Sequence, residues 1–277
     1  MATADLLTII IEVILWRLSY YYFYGTFLDM TQMCIVIHVA GRAATDCSVW
    51  FTVFFTFDRF VAICCQKMKA KYCTGKAAAV VLTTTGILLC CKNIPLYFIY
   101  EAGKVINNVA WDCFRKPSAY TDPGWVGYDW LATVLTPLLP FVLIMLLNTL
   151  TVRHILVASR VRKGLRIQSN GDKRSDPEME SRRRSAILLF TISGSFIVLW
   201  SLLVADFIYY TFSGADPRNY TVSEYIFQHV GDILMAVSCC TNTFIYGVTQ
   251  SKFREQLMNA ARYPLTSIIQ MIHNRNN

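Results

Sequence analysis

Apolar residues come in long blocks along this chain, separated by short polar or basic stretches, rather than alternating as in a half-buried strand. The block over residues 33–65 is interrupted mainly by Arg42, Asp46 and a few small polar residues. A helix rises ~1.5 Å per residue, so Cys34 to Arg59 covers about 37 Å, more than a ~30 Å hydrocarbon core. Similar blocks run over about 77–100, with Lys92 and Pro95 near the end, about 129–155, with Pro137 and Pro140, about 182–212 and about 222–248. The first block, residues 2–18, is shorter and contains Glu12. This pattern predicts an all-α bundle of membrane-spanning helices. The stretches between them read as connections. Tyr20 to Tyr24 is an aromatic cluster suited to a membrane interface. Residues 66–75 form a short basic loop, and 101–128 form a loop on the opposite side. Residues 159–181 form a polar, basic loop with breakers at Gly171 and Pro177. Residues 251–262 are amphipathic, with Phe253 and Leu257 on one side, and suit a helix lying on the membrane surface.

Composition supports that picture. Of 277 residues, 55% are hydrophobic and 16% charged, whereas a soluble domain carries about a quarter charged residues. The formal charge of +8 is concentrated in Lys67, Lys69, Lys71 and Lys76, in the run from Arg153 to Arg184, and after the last block. The positive-inside rule therefore places Asp58, Arg59 and the tail in the cytoplasm and Cys34 outside. A basic run can also be a nucleic-acid patch, but this one lies between two spans, so no nucleic-acid partner is expected. Most of the ten cysteines (Cys47, Cys64, Cys65, Cys90, Cys91, Cys239 and Cys240 among them) lie in apolar runs and read as buried thiols. The four histidines are scattered, and no hydrolase, zinc-protease or P-loop motif occurs, so no enzyme is expected. A channel or transporter subunit is the alternative; it would need a polar pore stripe or an internal repeat, and neither is visible.

Asp58-Arg59-Phe60 at the end of a long apolar helix that starts at Cys34 resembles the third helix of a rhodopsin-like (class A) G-protein-coupled receptor. Ala2-Thr3-Ala4-Asp5-Leu6-Leu7 resembles that family's second helix, Phe196 and Trp200 its sixth-helix switch pair, and Asn242-Thr243-Phe244-Ile245-Tyr246 its seventh-helix motif. The phrases around Trp50, Asp58 and Asn242 resemble one orphan subfamily in particular, G-protein coupled receptor 139 and its relatives. The resemblance implies a receptor domain over 1–248 and an amphipathic helix with cytoplasmic tail over 249–277. It implies a multi-pass location in the plasma membrane, a small extracellular ligand and a heterotrimeric G protein as partner. The chain starts at the aspartate that marks the middle of the family's second helix, so we expect an upstream span. A non-signalling receptor fragment is a further alternative.

The resemblance also implies site residues. Cys34 and Cys113 are the cysteines best placed outside, where oxidation favours a bridge; two thiols are the alternative. Asp5, with Ser48 and Asn242, matches the family's sodium contacts; a water-bonded Asp5 without an ion is equally open. Asp58, Arg59, Phe196, Trp200, Asn242 and Tyr246 match the coupling and switch positions, although Leu202 replaces the usual sixth-helix proline. Arg42 and Asp46, one turn apart, read either as an intrahelical ion pair or as ligand-binding residues. Asp206, Phe207 and Asp232 should lie at the same depth, above Trp200 as floor. Gly41 stands where amine receptors carry an aspartate, which disfavours a monoamine. Arg42 can clamp a carboxylate, Asp232 can take an ammonium, and the aromatic walls suit an aromatic amino acid or a peptide end. Asn219 begins a glycosylation sequon on the outer side.

Overall fold

A computed structural model describes residues 2–23, 25–65, 73–168, 177–213 and 220–249, together with Met68, Arg254, Glu255, Met258 and Asn259. The chain folds as a bundle of long helices with a small hairpin at one end. α1 (Ala2–Thr8) continues through a π-helical stretch, Ile9–Leu18, into α2 (Ser19–Tyr22). The chain then reverses at Gly25, whose φ of 90° is open to glycine, and through the 3-10 turn Phe27–Asp29. The Asp29 carboxylate fixes this turn by accepting the N–H groups of Gly25 at 2.5 Å and Thr26 at 3.2 Å.

α3 (Thr31–Cys64) has 34 residues. α4 (Gly75–Asn93) starts where the Thr74 hydroxyl accepts the Ala77 N–H at 3.2 Å, and it tightens into a 3-10 extension, Ile94–Ile99, at Pro95. The expected outer loop is structured. β1 (Tyr100–Ile106) and β2 (Val109–Arg115) pair antiparallel with Ile106 opposite Val109. Asn107 and Asn108 turn the corner with φ of 50° and 62°, the positive pair a two-residue primed turn requires. α5 (Ser118–Thr121) and α6 (Pro123–Thr133) follow, then a π-helical stretch, Val134–Leu138, and α7 (Leu139–Gln168). Thr136, the residue before Pro137, leaves helical geometry there. α8 (Pro177–Ser213) passes through Leu202 as one 37-residue helix, and α9 (Val222–Thr249) closes the bundle. The expected loop over 159–181 is therefore shorter at both ends. Its Arg, Lys and Leu residues are good helix formers, so α7 continues past the bilayer.

Among the described residues, Thr31–Cys64, Gly75–Ile99, Pro123–Ala158 and Ala186–Tyr209 are long and apolar enough to cross a membrane. α3 lies at the centre and touches α1, α4, α7, α8 and β2, while α9 packs on α8 and α1. Lipid tails are as apolar as side chains, so close packing rather than hydrophobic burial must hold such helices together. The buried face of α3 accordingly carries Gly41, Ala44, Thr45, Ser48, Thr52 and Thr56, all small. Buried hydroxyls need partners in a dry interior: Thr52 and Thr56 donate to carbonyls four residues back, at 3.0 and 2.8 Å, whereas the Thr45 hydroxyl has none among the described residues. The core on the inner side joins Val49 and Val53 to Ile144, Phe196 and Trp200. The outer surface is apolar as well, with Val80, Leu88, Val198 and Phe244 each more than 60% exposed, as a lipid-facing surface requires.

Candidate functional site

The outer end of the bundle carries a tied-down lid. Cys34 of α3 and Cys113 of β2 form a disulfide with Cα atoms 5.9 Å apart, as expected from their placement outside. The Thr31 hydroxyl donates to the Asp112 carbonyl at 2.8 Å beside it. Leu96, Ile99 and Ala119 pack under the hairpin with Val39, Tyr100, Trp125 and Tyr128. His38 sits between two rings, edge-on to Trp16 at 4.7 Å and stacked on Tyr100 at 5.1 Å. Burial pushes the Tyr100 phenol above its usual range, so it stays neutral. His38 also lies within 4.8 Å of the Cys34 and Cys113 sulfurs. Those sulfurs are bonded to each other, so they offer no thiolate to a metal.

Below this lid, charged side chains from several helices converge. Asp46 does not pair with Arg42. It accepts Lys92 Nζ at 2.6 Å and Asn93 Nδ2 at 2.6 Å, both from α4, and Asn93 also donates to the Leu89 carbonyl at 2.8 Å. Arg42 is exposed, and it makes no hydrogen bond or ion pair with any described residue. Its electrostatic neighbours are Glu12, His38, Tyr100 and Tyr128. They come from the first helical segment, α3, the hairpin and α6, so Arg42 faces the interior of the bundle rather than lipid.

Asp232 of α9 was expected to be open to a ligand; Arg17 takes it, with Nη2 at 2.9 Å from the carboxylate. The Arg17 guanidinium also lies 4.9 Å from the Trp16 ring centre. Asp206 of α8 is half-buried and has acids, Asp232 and Glu224, as its electrostatic neighbours. Phe207 meets Trp130 edge-on at 5.6 Å. Trp200, expected as the floor of a ligand pocket, is 4% exposed and stacks on Phe196 at 5.2 Å within the packed core. Glu12, Arg17, Lys92 and Asn93 were not among the expected site residues. Their signal was available: three are charged side chains inside apolar blocks, and such charges are costly without partners.

In the middle of the bundle, Asp5 is 1% exposed and holds both expected contacts. The Ser48 hydroxyl donates to one carboxylate oxygen and Asn242 Nδ2 to the other at 3.3 Å. This ties the first segment to α3 and α9. At the cytoplasmic end, Arg59 pairs with its neighbour Asp58 at 2.6 Å, and its guanidinium lies 5.5 Å from the Phe55 ring centre. Tyr246 falls on α9, with its side chain outside the described residues, as are Asn219, Phe253 and Leu257. Arg254 donates to the carbonyls of Gly247 and Val248 at 3.2 and 2.9 Å and so caps the end of α9.

The family described as "7 transmembrane receptor (rhodopsin family)" matches residues 1–246. The compound eye opsin BCRH2 of Hemigrapsus sanguineus is 23% identical over 241 residues, which is 83% of this chain. The chain spans 60% of that relative's length. The central helix with Asp58-Arg59 near its end, the outer disulfide from its start to the hairpin, and Asp5 joined to α3 and α9 all lie within the matched residues. The chain belongs to the rhodopsin family of seven-transmembrane receptors.

Proposed function

We propose that this protein is a plasma-membrane receptor that passes the binding of a small extracellular ligand to a heterotrimeric G protein. The observation that carries this reading is the Asp58–Arg59 pair near one end of α3, with a cluster of charged side chains around the opposite, disulfide-tied end. A ligand that binds the active packing better shifts the equilibrium toward it. Arg59 then leaves Asp58 and becomes available to the G protein. Within the family, the phrases around Trp50, Asp58 and Asn242 favour the G-protein coupled receptor 139 group. Asp5, Ser48 and Asn242 offer oxygens suited to a small hard cation, and a sodium ion there would offset the buried carboxylate. The Asn242 amide would have to turn its oxygen toward the ion.

The ligand is a small zwitterion with an aromatic side chain, such as tryptophan or phenylalanine. Arg42 supports this, because a cation with no protein partner among the described residues can hold a carboxylate by two parallel hydrogen bonds. Tryptamine and 2-phenylethylamine, which lack the carboxylate, should be weaker than the parent amino acids in a cell-based calcium assay. Losing a charge-assisted contact of about 1.5–3 kcal/mol corresponds to roughly ten- to a hundredfold in potency. Arg42→Gln should erase that preference. Amines equal to the amino acids, or a preference that survives Arg42→Gln, would remove Arg42 from this role.

A further inference from the structure

Glu12 lies in the first helical segment, within its π-helical stretch, and its carboxylate rests against the backbone of α3 at Gly41. A methyl group added at Gly41 would overlap that carboxylate. Glycine here cuts a notch into α3, and an acid from the neighbouring helix fills it. The next residue along α3 is Arg42. Arg42 exerts the strongest attraction on Glu12, Arg17 a weaker one, and Asp232 repels it. Glu12 accepts no hydrogen bond from any described residue. Arg17 is already committed to Asp232 at 2.9 Å. The two remaining charges, one acid and one guanidinium, therefore sit near each other where the first helical segment meets α3. A carboxylate at membrane depth is costly unless a partner completes it, which marks it as a binding group.

We propose that Glu12 and Arg42 form a two-charge clamp for the α-amino-acid end of the ligand, with Glu12 taking the ammonium and Arg42 the carboxylate. This deepens, and rests on, the amino-acid reading given above. The geometry of the ligand end favours Glu12 over the other acids. In an α-amino acid the nitrogen lies about 2.5 Å from the carboxylate carbon, by the standard bond lengths and angle. The acid that receives the ammonium must therefore adjoin the cation that receives the carboxylate. Glu12 meets that condition through its notch at Gly41. Asp232 is held by Arg17, Asp46 by Lys92 and Asn93, and Asp206 has only acids as electrostatic neighbours. Arg42 beside the acid also explains why a lone amine would be a poor ligand: the guanidinium repels it unless a carboxylate comes with it.

The test has two arms, both on the full-length receptor at the cell surface. In the first, Glu12→Gln should lower the potency of L-phenylalanine about tenfold or more, while leaving 3-phenylpropionate, which lacks the ammonium, unchanged. Gly41→Ala should do the same by displacing the carboxylate. Equal losses for both compounds would assign Glu12 a merely structural role and overturn the clamp. The second arm needs no agonist. In Arg42→Cys, the introduced thiol attacks a methanethiosulfonate to form a mixed disulfide and release methanesulfinate. A trimethylammonium reagent should react about tenfold faster than a sulfonate reagent, after subtraction of labelling in the parent receptor, and adding Glu12→Gln should collapse that ratio. A ratio insensitive to Glu12→Gln would overturn the proposal. If amino acids fail to activate the parent receptor, the ligand reading falls, and the second arm still decides whether Glu12 presents a cation site beside residue 42.

Discussion

Asp46→Ala is expected to destabilise the receptor by about 3–5 kcal/mol, the range for removing one partner of a buried ion pair. The reason is what it leaves behind. The side chains of Asp46 and Lys92 are 8% and 15% exposed, so the pair is screened from water and from lipid headgroups. Without Asp46, Lys92 is left without its partner between α3 and α4, and Asn93 loses one of its two acceptors. Lys92→Ala should cost a similar amount by stranding the carboxylate. The double change Asp46→Leu with Lys92→Leu should recover most of the loss, since an apolar pair of similar volume often replaces a buried ion pair at little cost. Thermal unfolding of the detergent-purified variants reads this cycle. A double variant as unstable as the sum of the singles would show that Asp46 and Lys92 act independently.

The second large effect concerns the lid. The bond between Cys34 and Cys113 spans a sequence separation of 79 residues. On the chain-entropy account, closing a loop of that size stabilises the folded state by about 4–5 kcal/mol. Cys34→Ala, Cys113→Ala and the double change should each cost the same, because any one of them removes the same bond. The hairpin also carries Tyr100, which stacks on His38. Surface expression and unfolding temperature should therefore fall together in all three variants. A double variant clearly worse than either single would mean that each thiol has a separate role.

The long helices were legible in the sequence because length and apolar run are local properties. Cys34 with Cys113, and Asp5 with Ser48 and Asn242, were legible too, since the resemblance supplied their pairing. The hairpin was missed, although Asn107-Asn108 between Ile106 and Val109 is a turn signal of the kind that favours positive φ. The charge network was read along a single helix, where Arg42 and Asp46 looked like partners. Which charges meet depends on how neighbouring helices rotate against α3, and spacing within one helix does not encode that. Lys92 reached Asp46 and Arg17 reached Asp232 across helices. Gly41 was read only as disfavouring a monoamine; that it opens space for the Glu12 carboxylate depends on how the first segment packs on α3.

The proposed function makes the outer charge cluster around Arg42 and the Asp58–Arg59 end of α3 two sites of one switch. The most direct measurement is nucleotide exchange on a heterotrimeric G protein by purified full-length receptor in lipid nanodiscs, with and without L-phenylalanine or L-tryptophan, for the parent and for Arg59→Ala. The expected result is ligand-stimulated exchange in the parent and its loss in Arg59→Ala, with the variant still folded. Stimulated exchange that persists undiminished in Arg59→Ala, or a folded parent receptor that drives no exchange with these ligands, would contradict it.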